Sequence, residues 1–123
     1  MSLLPKPIVM VVDDDAIARM GATDMFRHAG YDVIEAGCAS EALQSFQSNA
    51  NISLLFTDIS MPGAMDGTDL AVEIAAHWPL VGLIATSGLP RPGKLPTGTS
   101  FHDKPYEPSA VLLQAKAMTD FNH

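Results

Sequence analysis

Only one cysteine, Cys38, occurs in the 123 residues, which excludes an internal disulfide framework and suits a reducing cytoplasm. Positive charge is scarce: seven Lys and Arg stand against fourteen Asp and Glu, for a net charge of −7. A domain that grips phosphate backbones by itself needs the opposite balance, so direct nucleic-acid contact is not expected. No apolar run approaches the ~20 residues of a membrane-spanning helix, and no signal peptide is visible, so neither membrane contact nor export is expected. The four histidines, His28, His77, His102 and His123, show no metal-ligand spacing. What is present is globular. Hydrophobic residues make up 47% and charged residues 17%, and the length fits one domain that buries about two-thirds of its unfolded surface.

Against that background the stretch "VVDDDAIARM", Val11 to Met20, raises a physical question. An apolar run from Ile8 to Val12 ends in three acids, Asp13, Asp14 and Asp15. Two like charges ~4 Å apart near a protein surface repel by roughly 4 kcal/mol. A helix N-terminus, a metal ion or water must offset that cost.

The pattern along the chain alternates. Ile8–Val12 reads as a strand covered on both faces. Residues from about Ala16 to Ala29 read as a helix with Ala18, Ala22, Met25, Phe26 and Ala29 inward, stopped by Gly30. Tyr31–Ala36 is a short strand, and Ser40 to about Ser48 a second helix with Ala42, Leu43 and Phe46 inward. Ile52–Thr57 is a buried strand ending at Asp58. The stretch from Ser60 to Gly67 is a loop by its proline and glycine content. Thr68 to about His77 is helical, Val81–Thr86 is a fourth strand, and Phe101–Lys104 a short fifth. Ser109 to about Met118 is a last helix, with Pro108 at its N-terminal edge and Val111, Leu112, Ala115 and Met118 inward. Trp78 reads as a helix-end packing residue and Cys38 as a small structural one.

Strands alternating with helices predict βαβ units, a parallel sheet and helices on both faces. Ligands of such sheets gather beyond the carboxyl ends of the strands. Asp13 and Asp14, Asp58, Thr86 and Lys104 stand at four of those ends. Asp15 reads as a helix N-cap. Each residue alone has an ordinary structural explanation; their conjunction points to a site.

The segments "VMVVDDD", "LLFTDISMPGAMDG", "LIATSG" and "DKPY", in this order, closely resemble the receiver domain of two-component response regulators. The resemblance runs from about Pro7 to Met118. It implies a doubly wound, five-stranded parallel sheet of flavodoxin-like order 2-1-3-4-5. Residues 1–6 are then an N-terminal extension, 7–118 the receiver and 119–123 a C-terminal tail. By the same resemblance Asp58 is the phosphoacceptor. Asp14 contacts Mg2+ (or Mn2+) directly, Asp13 acts on it through water, and Ser60 offers its backbone carbonyl. Thr86 meets the phosphoryl group, Lys104 binds one of its oxygens, and the Lys104–Pro105 peptide is cis. Thr86 and Phe101 form the switch. The phosphoryl donor is a phosphohistidine on a histidine kinase or a histidine-containing phosphotransfer protein, docked on the first helix near Ile17, Met20 and Asp24, with Thr23 beside them. Such a switch catalyses only its own phosphotransfer and dephosphorylation. The chemistry is coherent on its own terms: a hard cation takes oxygen ligands and bridges carboxylate to phosphate, and phosphoryl transfer needs positioning and charge neutralisation.

Two features depart from the common pattern. "MPGAMDG" carries one residue more than the frequent "MPGMDG", with Ala64 the extra one. "GLPRPGKLPTGTS", Gly88 to Ser100, holds Pro90, Pro92 and Pro96 where receivers place a fourth helix. Interior prolines cost a helix roughly 3 kcal/mol each, so that helix is expected to be short, irregular or absent, and dimerisation through its face is not expected. Gly88, two past Thr86, offers no side chain to guide water toward a phosphoryl group. Two alternatives stand beside the switch. One is a pseudo-receiver that binds partners without phosphorylation. The other is a phosphatase with an aspartyl-phosphate intermediate; such enzymes use Asp-x-Asp near the first strand, whereas Asp58 is followed by Ile59 and Ser60 on the third.

Overall fold

The computed structural model describes residues 5–49 and 51–120; expectations for residues 1–4 and 121–123, in the extension and the tail, lie outside the described residues. In chain order the elements are β1 (Ile8–Val12), α1 (Ala16–His28), β2 (Asp32–Ala36), α2 (Ala39–Ser48), β3 (Ile52–Asp58), α3 (Gly67–His77), β4 (Gly82–Ser87), β5 (Ser100–Asp103) and α4 (Pro108–Thr119). The five strands form one sheet of order β2-β1-β3-β4-β5, parallel at every pairing. The parallel pairing is what the alternating pattern predicts, and the flavodoxin-like order is the one the resemblance implies.

Side chains alternate across the sheet and divide the core in two. Met10 and Val12 of β1 join Leu55 and Leu83 beneath α2 and α3, with Phe46, Leu70 and Ile74. Val9 and Val11 join Leu54, Phe56 and Ile84 beneath α1 and α4, with Phe26 and Val111. Both faces of the central strands are therefore apolar, and the near-continuous hydrophobic runs follow from that double coverage. Trp78 closes α3 and lies 5.4 Å, centroid to centroid, from Phe46. The hydroxyl of Tyr31 lies 3.1 Å from that of Thr119, which ties the end of α4 to the start of β2.

Local chemistry sets the helix ends. Asp15 caps α1, accepting from the N–H groups of Ile17 and Ala18. Gly30 follows the helix at φ +98°, a left-handed conformation that suits glycine. Pro108 occupies the first turn of α4. Two details of α1 differ from the periodic reading. Ala29 is exposed, because it is the C-cap rather than part of the inward stripe, and Thr23 is buried at 2% exposure against the core.

Between β4 and β5, residues 88–99 form bends and turns with no regular helix. The hydrogen bonds there are short-range. The Leu89 N–H donates to Ser87 Oγ at 3.0 Å, and the hydroxyl of Thr99 donates to the Pro96 carbonyl at 2.7 Å. The prolines have the expected effect, and α4 is the helix that follows β5.

Candidate functional site

The three consecutive acids at the end of β1 lie in three different environments. Asp15 faces the N-terminus of α1, where free N–H groups and the helix dipole favour a negative charge. Asp13 is 7% exposed; its Oδ1 accepts from the Asp15 N–H at 3.0 Å and its Oδ2 from Lys104 Nζ at 3.2 Å. Asp14 is exposed to solvent.

Strand register assembles the rest. Val12 pairs with Thr57, so Asp13 leaves β1 beside Asp58, and Asp58 pairs directly with Thr86 of β4. Asp58 and Thr86 are 7% and 1% exposed. Thr86 in turn pairs with His102 of β5, two residues before Lys104. The Lys104 N–H donates to the Ser87 carbonyl at 2.8 Å, which fixes the lysine's backbone at the strand ends. Its ammonium group lies 3.2 Å from Asp13 and 3.5 Å from Asp58. The Lys104–Pro105 peptide is cis.

The electrostatics are uneven. Burial pushes the Asp58 carboxyl above the ordinary carboxylate value; Lys104 counteracts this, Asp13 adds to it, and the Ser60 N–H, 3.4 Å from Oδ1, counteracts it weakly. For Lys104, burial alone would lower the ammonium pKa, but Asp13 and Asp58 outweigh it and the net shift is upward. The Tyr106 phenol, with its ring 5.6 Å from that of Phe56, is raised chiefly by burial. Burial lowers the His102 imidazole below its usual value.

Carboxylate oxygens of Asp13, Asp14 and Asp58 lie within 4.8 Å of one another. Three hard oxygen donors so close fit a hard divalent cation such as Mg2+ or Mn2+. No histidine or cysteine belongs to this group.

The loop leaving Asp58 is held close to it. The Gly67 N–H donates to the Ile59 carbonyl at 3.0 Å, and a Cβ at Gly67 would stand 2.1 Å from the Asp58 carbonyl oxygen and 2.7 Å from Ile59 Cα. Only glycine fits this approach. Asp66 and Asp69 then form a reciprocal capping box that starts α3.

Asp13, Asp14, Asp58, Thr86 and Lys104 therefore converge, with Ser60 exposed at the rim. Phe101 pairs with Ala85 and so leaves the sheet on the face opposite Thr86, where it is half-buried. Ile17 and Met20 are 82% and 62% exposed on α1, and Asp24 is exposed; Thr23, grouped with them on the helical pattern, is turned into the core instead. Two residues at the site have no forward signal in that pattern. Gly67 is visible in sequence only as the second half of an Asp-Gly pair. Arg19 sits one helical turn past Asp15, and its Nη1 donates to the Asp13 carbonyl at 2.7 Å.

Comparison with known proteins places this geometry. The sequence profile of the response regulator receiver domain matches residues 9–91. Chemotaxis protein CheY of Thermotoga maritima is 31% identical over 110 residues, covering 85% of this chain and 90% of that protein. Nodulation protein W of Bradyrhizobium diazoefficiens is 32% identical over 120 residues, covering 94% of this chain; the chain spans about half, 52%, of that relative's length. A response regulator receiver domain protein (CheY-like) from Methanospirillum hungatei superimposes with a TM-score of 0.85 at 25% identity, over 94% of this chain and 95% of the other. Profile, sequence relatives and fold agree: this chain belongs to the response regulator receiver domain family of two-component signalling.

Proposed function

We propose that the domain is a phosphorylatable switch that accepts a phosphoryl group from a phosphohistidine onto Asp58. The observation that carries this reading is the placement of a buried carboxylate, Asp58, within 3.5 Å of an ammonium group and within 4.8 Å of two further carboxylates. A carboxylate oxygen of Asp58 attacks phosphorus as the bond to the imidazole nitrogen breaks. Asp14, Asp58 and the Ser60 carbonyl would hold Mg2+ or Mn2+ directly, and Asp13 would do so through water. The cation would supply charge neutralisation for two approaching anions. Lys104 releases Asp58 to bind a phosphoryl oxygen and remains paired with Asp13. The Thr86 hydroxyl, level with Asp58, donates to the new phosphoryl group. Because Phe101 faces away from Thr86, the two are coupled through the β4–β5 backbone they share.

The donor is a histidine kinase or a histidine-containing phosphotransfer protein seated on α1 over Ile17, Met20 and Asp24. Output is by protein–protein contact from a domain of residues 7–118, in the cytoplasm, without catalysis beyond its own phosphotransfer and dephosphorylation. The absence of a regular helix between β4 and β5 favours a second reading, a partner-binding pseudo-receiver. Intact mass after incubation with Mg2+ and acetyl phosphate separates the two. The switch gains one phosphoryl group, lost in Asp58→Asn and without the metal. The pseudo-receiver gains none with acetyl phosphate or with a phosphorylated histidine partner.

A further inference from the structure

We propose that Arg19 is a positioning residue for the divalent-cation site, a role that rests on the metal-dependent reading above. Its guanidinium spans two acceptors. Nη1 donates to the backbone carbonyl of Asp13 at 2.7 Å, and Nε donates to Glu35 Oε1 on β2 at 3.3 Å. The carbonyl it holds belongs to the peptide that joins Asp13 to Asp14, the two acids that converge with Asp58. Rotation of that peptide would swing both carboxylates, so one hydrogen bond restrains two ligand groups. The backbone N–H of Arg19 is itself anchored, donating to the Asp15 carbonyl at 2.9 Å in the first turn of α1. The side chain is 23% exposed, so it is partly packed along its length. A planar fork with fixed donor directions can satisfy two acceptors on different strands at once; a lysine ammonium in its place keeps the charge and loses the fork.

The alternative role is charge alone, and the two make opposite predictions. A cation beside an acidic cluster repels a divalent ion, so if charge were its whole effect, removing it would tighten metal binding. Restraint of the Asp13–Asp14 peptide does the reverse. Groups that orient metal ligands typically contribute a factor of ten or more to affinity.

The test is Mn2+ titration of wild type, Arg19→Lys and Arg19→Gln, followed by electron paramagnetic resonance of free Mn2+. Thermal unfolding and the 15N shift of the Asp14 amide in metal-free protein are measured alongside. Positioning requires both variants to bind Mn2+ about tenfold more weakly, with the Asp14 amide displaced and cooperative unfolding retained. Unchanged affinity in Arg19→Lys with tighter binding in Arg19→Gln overturns the proposal and leaves the phosphorylation reading intact. Loss of folding in both variants also overturns it, because Arg19 is then a structural brace. If wild type binds no Mn2+, the metal-dependent reading fails and this role falls with it.

Discussion

Two segments leave the sheet from neighbouring strand ends, and they behave differently. After β3, residues 59–66 turn and lead into α3, begun by the Asp66–Asp69 capping box and buried through Leu70, Ala71 and Ile74. After β4, residues 88–99 make only bends and turns before β5. Both follow residues that are level with each other, Asp58 and Thr86. The sheet therefore does not decide whether a helix follows a strand. Local chemistry does: one segment supplies a cap and an apolar stripe, and the other supplies Pro90, Pro92 and Pro96. The two also differ in how tightly they hold the site. Gly67 presses the first against the backbone of Asp58, whereas the second makes its hydrogen bonds near its own ends, at Ser87–Leu89 and Pro96–Thr99.

The largest expected break in this contrast comes from Gly67→Ala. Its methyl group would meet backbone at 2.1 Å, so α3 or the Asp58 strand end must shift. Overpacking of this kind typically costs about 1–3 kcal/mol, occasionally more, and backbone neighbours yield least. Urea denaturation should show a clear loss of stability, and phosphoryl uptake at Asp58 should fall with it.

Asp58→Asn gives an intermediate effect of opposite sign. Burial raises the Asp58 pKa above its ordinary 3.8, so the folded protein holds this proton more tightly than the unfolded chain. Below that ordinary value both states are protonated and the group costs nothing. As pH rises from the ordinary value toward the folded pKa the cost of burying the charge develops, and it is full above the folded pKa. The variant is therefore expected to melt higher than wild type at neutral pH in the absence of divalent metal. The difference should close below about pH 4, and thermal melts across that range would show it. An equal gain at both ends would place the effect outside Asp58 ionisation.

The smallest effect belongs to the other segment. A Cβ at Gly93 meets nothing within 4 Å and the backbone there is not left-handed. Gly93→Ala should stabilise by about 0.5 kcal/mol, by restricting the unfolded chain. A destabilisation comparable to that of Gly67→Ala would mean that 88–99 is held as tightly as 59–66.

Much of this arrangement is legible in sequence because it depends on short-range signals. Alternating apolar runs reveal the strands, and Asp58 is recognisable at the end of one. Three prolines within a few residues suffice to remove a helix. What escapes such reading depends on elements meeting in space. Thr23 lies beside Asp24 in sequence, yet the roll of α1 turns it inward. Arg19 looks like a solvated helical arginine until the chain brings the Asp13 carbonyl and Glu35 within its reach. Phe101 is three residues before Lys104, the spacing on which the resemblance rests there, but only register shows that it faces away from Thr86.

The ion pair between Lys104 and Asp13 joins positions 91 residues apart, from the first strand to the last. During synthesis the amino-terminal acids emerge from the ribosome long before the lysine that faces them. Until β5 is in place, Asp13, Asp14 and Asp58 lack the ammonium group that pairs with two of them. The site becomes whole only when β5 docks, so its charge balance depends on closure of the sheet.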